Sequence, residues 1–339
     1  MFKPEFTYTH KIVNHIARIA SAIELINNAK IIPSYDTKLK QDALIKSSHY
    51  STSIEGNPLN LEEVTTLIKN NQKPTSKAEQ EVLNYFNVLN HLNKYPNSPI
   101  TKDTILSIHK DLTKELLRDS EYEGKFRDTR VVIGNPHTRE INYIPPDAYK
   151  VPDLVDELLN WLNNTPEDMY PVIIAGIVHY ELVRIHPFID GNGRTSRLMA
   201  TLILSIHKFN INNYFTLDEY YNQDRQAYVD ALHSADKDHD LTNWLEYFCS
   251  GVLYSMDKVK SEVLKLDKIT SKYDNTIELT PNEISVLNLL EEKEHIKNKD
   301  IQQKLNITAQ ASYKIIKKLK NKDIIESTGK GRNTEYTLK

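Results

Sequence analysis

Apolar residues recur at spacings of three and four along most of the chain, as in "HKIVNHIARIASAIELI", "SKAEQEVLNYFNVLNHL" and "VPDLVDELLNWLNN". That is the pattern of amphipathic helices, and it predicts a mainly α protein. Two central stretches, "YPVIIAGIVHYELVRI" and "RTSRLMATLILSIHKF", are apolar on most faces and predict buried helices. One segment departs from the helical period. In "RDTRVVIGNPHTREINYIPP" two β-rich runs, residues 129–133 and 140–144, flank a Gly-Asn-Pro turn signal and predict a hairpin.

Helix breakers divide the chain into four expected parts. "KYPNSPITKD" separates an N-terminal helical region, 1–100, from a core, 101–250, with Thr101 as the N-cap of the next helix. A charged helical linker, 251–279, then leads to a small unit, 280–339, whose first helix has Thr280 as cap and Pro281 as first residue. The 339 residues suffice for two or three units with sizeable cores.

A formal net charge of -3 means that any attraction to polyanions must be local. The single cysteine, Cys249, excludes an internal disulfide framework and points to a reducing compartment. The start has no apolar signal-like region and nowhere do eighteen apolar residues run together, so a soluble, cytoplasmic protein without a membrane span is expected. Glycine is scarce, 9 residues against an average usage of about 7%. Each one should therefore mark a place where a side chain is not tolerated. Gly56, Gly124, Gly134, Gly191 and Gly193 fall in segments that the chemistry below assigns to one site.

That chemistry centres on "RIHPFIDGNGRTSR", residues 184–197. Pro187 ends the preceding helix, leaving His186 at its terminus and facing a loop. The next helix then opens with unpaired backbone N–H groups, an arrangement that binds phosphate. Gly191 and Gly193 let backbone approach an oxyanion, and Asn192 offers an amide between them. Asp190 supplies one hard oxygen suited to Mg2+ shared with substrate phosphates. Arg194 and Arg197, three apart, share a helix face and can grip one polyphosphate. His186 remains as a base. Phosphoryl or nucleotidyl transfer from a nucleotide is the chemistry these groups fit. The P-loop pattern is absent, and His179 and His207 fit no zinc spacing with His186.

"HPFIDGNGR" followed by Arg197 resembles the signature H-x-F-x-[DE]-G-N-G-R-x-x-R of the Fic family at every position. "IHKDLTKELLRDSEYEGKFRDTRVVIG" and "PPDAYKVPDLVDELLNWL" extend the resemblance over roughly residues 101–250. It implies a Fic-type helical bundle that transfers AMP from ATP to a Tyr, Thr or Ser hydroxyl of a target protein, or of the chain itself, releasing pyrophosphate. By resemblance His186 is the base and Asp190 the Mg2+ ligand, while Gly191, Asn192 and Gly193 line the anion hole. Arg194 and Arg197 would bind the outer phosphates, and Phe188 would anchor the loop. The Doc branch, a kinase, typically has Lys near the position of Gly193, so Gly193 favours adenylylation.

The resemblance also implies a β-hairpin flap that aligns the target by main-chain pairing. Arg130, Val131, Val132, Ile133, Gly134, Ile141 and Tyr143 are its candidate residues. Tyr221 and Tyr228, in "LDEYYNQDRQAYVDAL", are candidates to stack on the base, with core packing the alternative reading.

"STSIEG" matches the Fic inhibitory pattern [ST]-x-x-x-E-[GN]. It closes a helix that Gly56 should end, with Ser51 one turn before Glu55. The resemblance implies that Glu55 pairs with Arg197 and blocks the productive pose of the γ-phosphate. In some members the same glutamate supports removal of AMP, so a de-adenylylase is the alternative within enzymology.

The last sixty residues read as three helices and two strands around "TGKGRN" and resemble a winged helix-turn-helix. From Thr308 onward Lys314, Lys317, Lys318, Lys320, Lys322, Lys330, Arg332 and Lys339 outnumber Asp323, Glu326 and Glu335. That excess suits phosphate contacts with DNA. A DNA-binding regulator with a nucleotide-binding Fic unit is thus the other reading. Winged helices also serve as docking or dimer-forming modules, which leaves a homodimer open.

Overall fold

The computed structural model describes residues 2–29, 33–95, 99–134, 141–209, 214–238, 240–272, 279–293, 295–329, 331 and 334–338. Among the described residues, helices run in order through most of the chain: α1 (His10–Asn28), α2 (Pro33–Ile54), α3 (Leu61–Lys69), α4 (Lys77–Asn90), α5 (Lys102–Thr113), α6 (Val151–Asn163), α7 (Pro171–Ile185), α8 (Asn192–Ile206), α9 (Leu217–Gln223), α10 (Arg225–Asp238) and α11 (Thr242–Lys272). Strands β1 (Ile133–Gly134) and β2 (Ile141–Tyr143) lie between α5 and α6. The remainder is α12 (Pro281–Lys293), β3 (Ile296–Lys297), α13 (Asn298–Leu305), α14 (Ala309–Asn321), β4 (Ile325–Thr328) and β5 (Glu335–Leu338). The protein is mainly helical, as the apolar spacing predicts.

These elements form two compact units, Met1–Glu24 with Asp42–Lys258, and Leu25–Gln41 with Val259–Lys339. The break expected near residue 100 does not separate compact bodies, whereas the one expected near 250 lies close to the division after Lys258. Side chains bind the first one into the core: Ile100 N–H donates to Asn163 Oδ1 at 3.0 Å, Asn163 Nδ2 returns a bond to Ile100 O at 2.8 Å, and Tyr95 OH donates to Asp111 at 2.6 Å. Across the second, α11 continues because its apolar stripe does, with Trp244, Leu245, Phe248, Val252 and Met256 all buried.

In the first unit α7 is covered on nearly every side, with Val172, Ile173, Ile177, Val178 and Ile185 buried. It packs along α8, which brings the loop between them to one end of the helical layer. Thr101 begins α5 as expected, in a reciprocal capping arrangement with Thr104. Among the described residues of the hairpin, Ile133 pairs with Tyr143 and Gly134 with Ile141 around a bulge, while Arg130, Val131 and Val132 lie outside the strands. The turn-signal residues Asn135 and Pro136, with Glu140, lie outside the described residues.

In the second unit β3, β5 and β4 form an antiparallel sheet in that order, packed with α12, α13 and α14 around Leu287, Ile301, Ile316, Leu319 and Ile325. Thr280 caps α12, and its own N–H donates to Glu283 Oε2 at 2.6 Å, the predicted start. β3 was not predicted, because two residues carry no periodicity. Lys330, Arg332 and Lys339 lie outside the described residues. Among the described residues no helix is long and apolar enough to cross a membrane.

Candidate active site

The α7 to α8 connection is built on His186. It follows the last residue of α7 with φ 51° and ψ 60°, a left-handed conformation that costs a non-glycine residue about 1–2 kcal/mol. The turn swings the imidazole off the helix axis. Its Nδ1 faces Val183 O at 3.2 Å, so the proton sits on Nδ1 and Nε2 keeps a lone pair. Burial pushes the imidazole below its ordinary value; Arg127 lowers it further, while the Val183 carbonyl, Glu55 and Asp190 act the other way.

Beneath the loop, Phe188 is fully buried and stacks on His109 of α5, with ring centroids 3.6 Å apart and planes 4° from parallel. Gly124 N–H donates to His109 Nδ1 at 3.0 Å, so Nε2–H donates to Asp190 O, also at 3.0 Å. Burial drives this imidazole down to about 4, which keeps it neutral and both bonds intact. Gly191, at φ 79°, continues the chain over this floor; a Cβ there would stand 3.0 Å from Thr113 Cγ2.

Asn192 was expected to offer its amide to an anion. Instead its side chain closes the loop on itself: Nδ2 donates to Phe188 O and Oδ1 accepts from Phe188 N–H, both at 2.8 Å. A buried amide must be satisfied, and these two bonds satisfy it locally.

Both signature arginines are buried and both meet carboxylates. Arg197 donates through Nη2 to Glu55 Oε1 at 2.8 Å and to Ser51 O at 2.9 Å, and through Nε to Ser51 Oγ at 2.7 Å; Asp218 Oδ1 stands 3.4 Å from Nε. Arg194 pairs with Glu81 and, at 3.1 Å, with Asp190 Oδ1. Glu55 lies just past the end of α2, where Gly56 turns the chain at φ 93°. Burial alone would raise its carboxyl, but Arg197 and Arg194 outweigh it and hold the group below the ordinary carboxylate value. A Cβ on Gly193 would lie 2.3 Å from Glu55 Oε1. The carboxylate therefore rests on bare backbone in the first turn of α8, the place where an anion would meet the positive helix end.

Asp190 is half exposed, and the contacts it makes to Gly191 N–H and Arg194 use Oδ1. Among the described residues no three His, Cys, Asp or Glu side chains cluster to hold a metal ion. A cation here would rely on one carboxylate and substrate oxygens, which is the Mg2+ pattern. Tyr221 and Tyr228 present no open face for a base. Both are buried, stacked on each other at 4.5 Å beside Trp244 and Tyr247, with Tyr228 OH 2.9 Å from His179 Nε2. On the hairpin, Tyr143 OH donates to Arg184 O at 3.0 Å, while Val132 and Ile141 are exposed.

Four residues at this site escape sequence reasoning. Glu81 and Asp218 look like ordinary polar positions at or near helix starts. Arg127 reads as one cation in a charged loop. His109 alone carries a signal, since it interrupts the apolar stripe Ile105, Ile108, Leu112 and is nonetheless buried.

A helical layer, a short β-hairpin and a glycine loop joining a histidine to two arginines are the parts that the Fic signature implies. Residues 99–204 match the Fic/DOC family model, and residues 279–326 match a winged helix-turn-helix DNA-binding model. The chain is 30% identical over 173 residues to the protein adenylyltransferase Fic of Drosophila grimshawi, covering 49% of this chain and 34% of that protein. With the namesake of Culex quinquefasciatus it shares 28% over 208 residues, 58% and 40% of the two lengths. It thus spans between a third and two fifths of the length of these relatives. A crystal structure of a Fic family protein from Desulfovibrio desulfuricans superposes with a TM-score of 0.69 at 24% identity, over 100% of this chain and 98% of that one. Fic-1 from C. elegans gives 0.61 at 23%, over 75% and 73%. The chain carries a Fic/DOC-family domain followed by a winged helix-turn-helix domain.

Proposed function

We propose that the chain is a protein adenylyltransferase restrained by its own Glu55. The observation that carries this reading is the carboxylate bonded to Arg197 and resting on Gly193, where a nucleotide's phosphates would otherwise sit. In the active form, His186 Nε2 takes the proton of a target hydroxyl as its oxygen bonds to the α-phosphorus. The bond from that phosphorus to the bridging oxygen breaks, and pyrophosphate leaves. Arg194 and Arg197 orient the outer phosphates, and Asp190 would hold Mg2+, which when bound neutralises charge gathering on them. The exposed flap edge at Ile141 suits main-chain pairing with an extended target segment. Incubation with ATP labelled at the α-phosphate, for the natural chain and for Glu55→Gly, tests the reading. Label from the γ-phosphate instead would identify a kinase.

The lowered imidazole predicts a pH profile. A base works only when neutral, so a depressed value keeps His186 competent as pH falls. The acid limb of kcat/KM for Glu55→Gly is expected below the ordinary imidazole value of about 6.5. Removing Glu55 lowers His186 further, because that carboxylate favours the charged ring. An acid limb above 7 would contradict the assignment.

A second reading concerns the C-terminal domain. On α14 Tyr313, Lys314, Lys317 and Lys318 are exposed, whereas Lys322 is spent on the buried Glu283 at 2.9 Å. We infer that α14 faces DNA. Binding to random duplex should weaken steeply with salt, and replacing Lys317 and Lys318 by alanine should reduce the slope of log K against log salt by about two. A fluorescence-anisotropy titration showing no binding at low salt would remove this reading.

A further inference from the structure

Arg127 is 2% exposed, yet among the described residues no carboxylate bonds to it. Among the described residues, the hydrogen bonds from its side chain go to backbone carbonyls. Nε donates to His186 O at 2.8 Å and Nη1 to Thr129 O at 3.0 Å, while Nη2 reaches Pro146 O and, at 3.4 Å, Ile185 O. Its own backbone N–H donates to Pro187 O at 2.9 Å. The acceptors fall into two groups. Ile185, His186 and Pro187 form the end of α7 and the start of the active loop; Thr129 and Pro146 are the two roots of the hairpin.

Helix ends leave carbonyls without intrahelical partners. At α7 the left-handed residue after the helix is His186, so the carbonyls around it need a donor from elsewhere. A guanidinium carries five N–H groups in a rigid planar fork and can serve carbonyls from both segments at once. An ammonium, with three donors on one atom, cannot span them. A second tie runs parallel, from Tyr143 OH to Arg184 O.

We propose that Arg127 is a positioning residue for the transfer reaction, locking the roots of the flap to the terminus of α7 so that the target's docking edge and the His186 imidazole keep one register. The inference rests on the adenylyltransferase reading. Arg127 has no bond to α8, so losing it should disturb the attacking side of the reaction and spare the nucleotide side.

The test uses the full chain carrying Glu55→Gly as parent, with Arg127→Lys and Tyr143→Phe added singly. Self-labelling from α-labelled ATP gives the rate, calorimetric titration with ATP and Mg2+ gives the affinity, and amide exchange without nucleotide reports the two segments. For Arg127→Lys the rate is expected to fall on the order of 100-fold, the usual cost of a misplacement of about 1 Å, with ATP affinity within roughly threefold of the parent. Tyr143→Phe should give a smaller fall of the same kind. Amide exchange should quicken in residues 141–143 and 186–191 and stay unchanged in α3 and α4. An Arg127→Lys chain that labels within about threefold of its parent, or loses ATP affinity in proportion to rate, would overturn the inference, as would one that fails to fold. If the parent binds ATP but labels nothing, the adenylyltransferase reading is what has failed. Amide exchange then decides the coupling by itself, quickened in both segments for it and unchanged in either against it.

Discussion

Replacing His186 by alanine in a chain already released by Glu55→Gly is expected to cut AMP transfer by roughly 10²- to 10⁴-fold, the range a positioned general base contributes. ATP affinity should hardly change, because the imidazole is bonded to Val183 O of the helix it follows and makes no bond to Arg194 or Arg197. The two measurements together separate loss of a base from loss of a fold. The left-handed backbone at His186 swings Nε2 off the axis of α7, and alanine removes the lone pair that this turn presents. Rates measured with α-labelled ATP that stay within tenfold of the Glu55→Gly parent would show that another group takes the proton.

Glu55→Gly by itself is expected to raise transfer by roughly 10- to 150-fold, if the charge-assisted bond it removes is worth about 1.5–3 kcal/mol. Two features make the variant clean. Glu55 follows the C-terminal end of α2, where the helix dipole disfavours a carboxylate, so its removal costs the helix little. Arg197 also stays in place, held by Ser51 Oγ and O and faced by Asp218 at 3.4 Å. Between pH 6 and 8 the latch should not titrate, since a depressed carboxyl loses its contribution only as pH falls through its lowered value. Steady-state label incorporation compared between the two chains measures the release. Equal rates would mean that the ion pair with Arg197 restrains nothing.

Much of the site is legible because it is local. Residues 186–197 join two buried helices, so one short window carries the histidine, the aspartate, the glycines and both arginines. The helix end at Gly56 and the cap at Thr280 are legible for the same reason: backbone conformation at a terminus depends on a few neighbours. Asn192 shows the limit of that reasoning. Its spacing reveals that it belongs to the loop, but not whether its amide points outward to an anion or back to Phe188.

Partners from far along the chain are a different matter. Arg197 meets Ser51 across 146 positions and Arg127 meets His186 across 59. No periodicity encodes such pairings, because they depend on how whole helices pack. Tyr221 and Tyr228 sit at spacings that fit either an open wall or a core, and the packing of α7, α9, α10 and α11 turned both inward.

The amino-acid order alone determined a mainly helical protein with a β-hairpin between its central helices, a glycine-bearing loop at a helix start and a basic C-terminal unit, since each follows from side-chain period, backbone freedom and charge within a short window. Tertiary packing alone decided which carboxylate rests on which arginine, and that Arg127 spans the roots of the hairpin and the end of α7. Electrostatic and hydrogen-bond partners act over a few ångströms, and only the folded chain brings residues so distant in sequence within that reach.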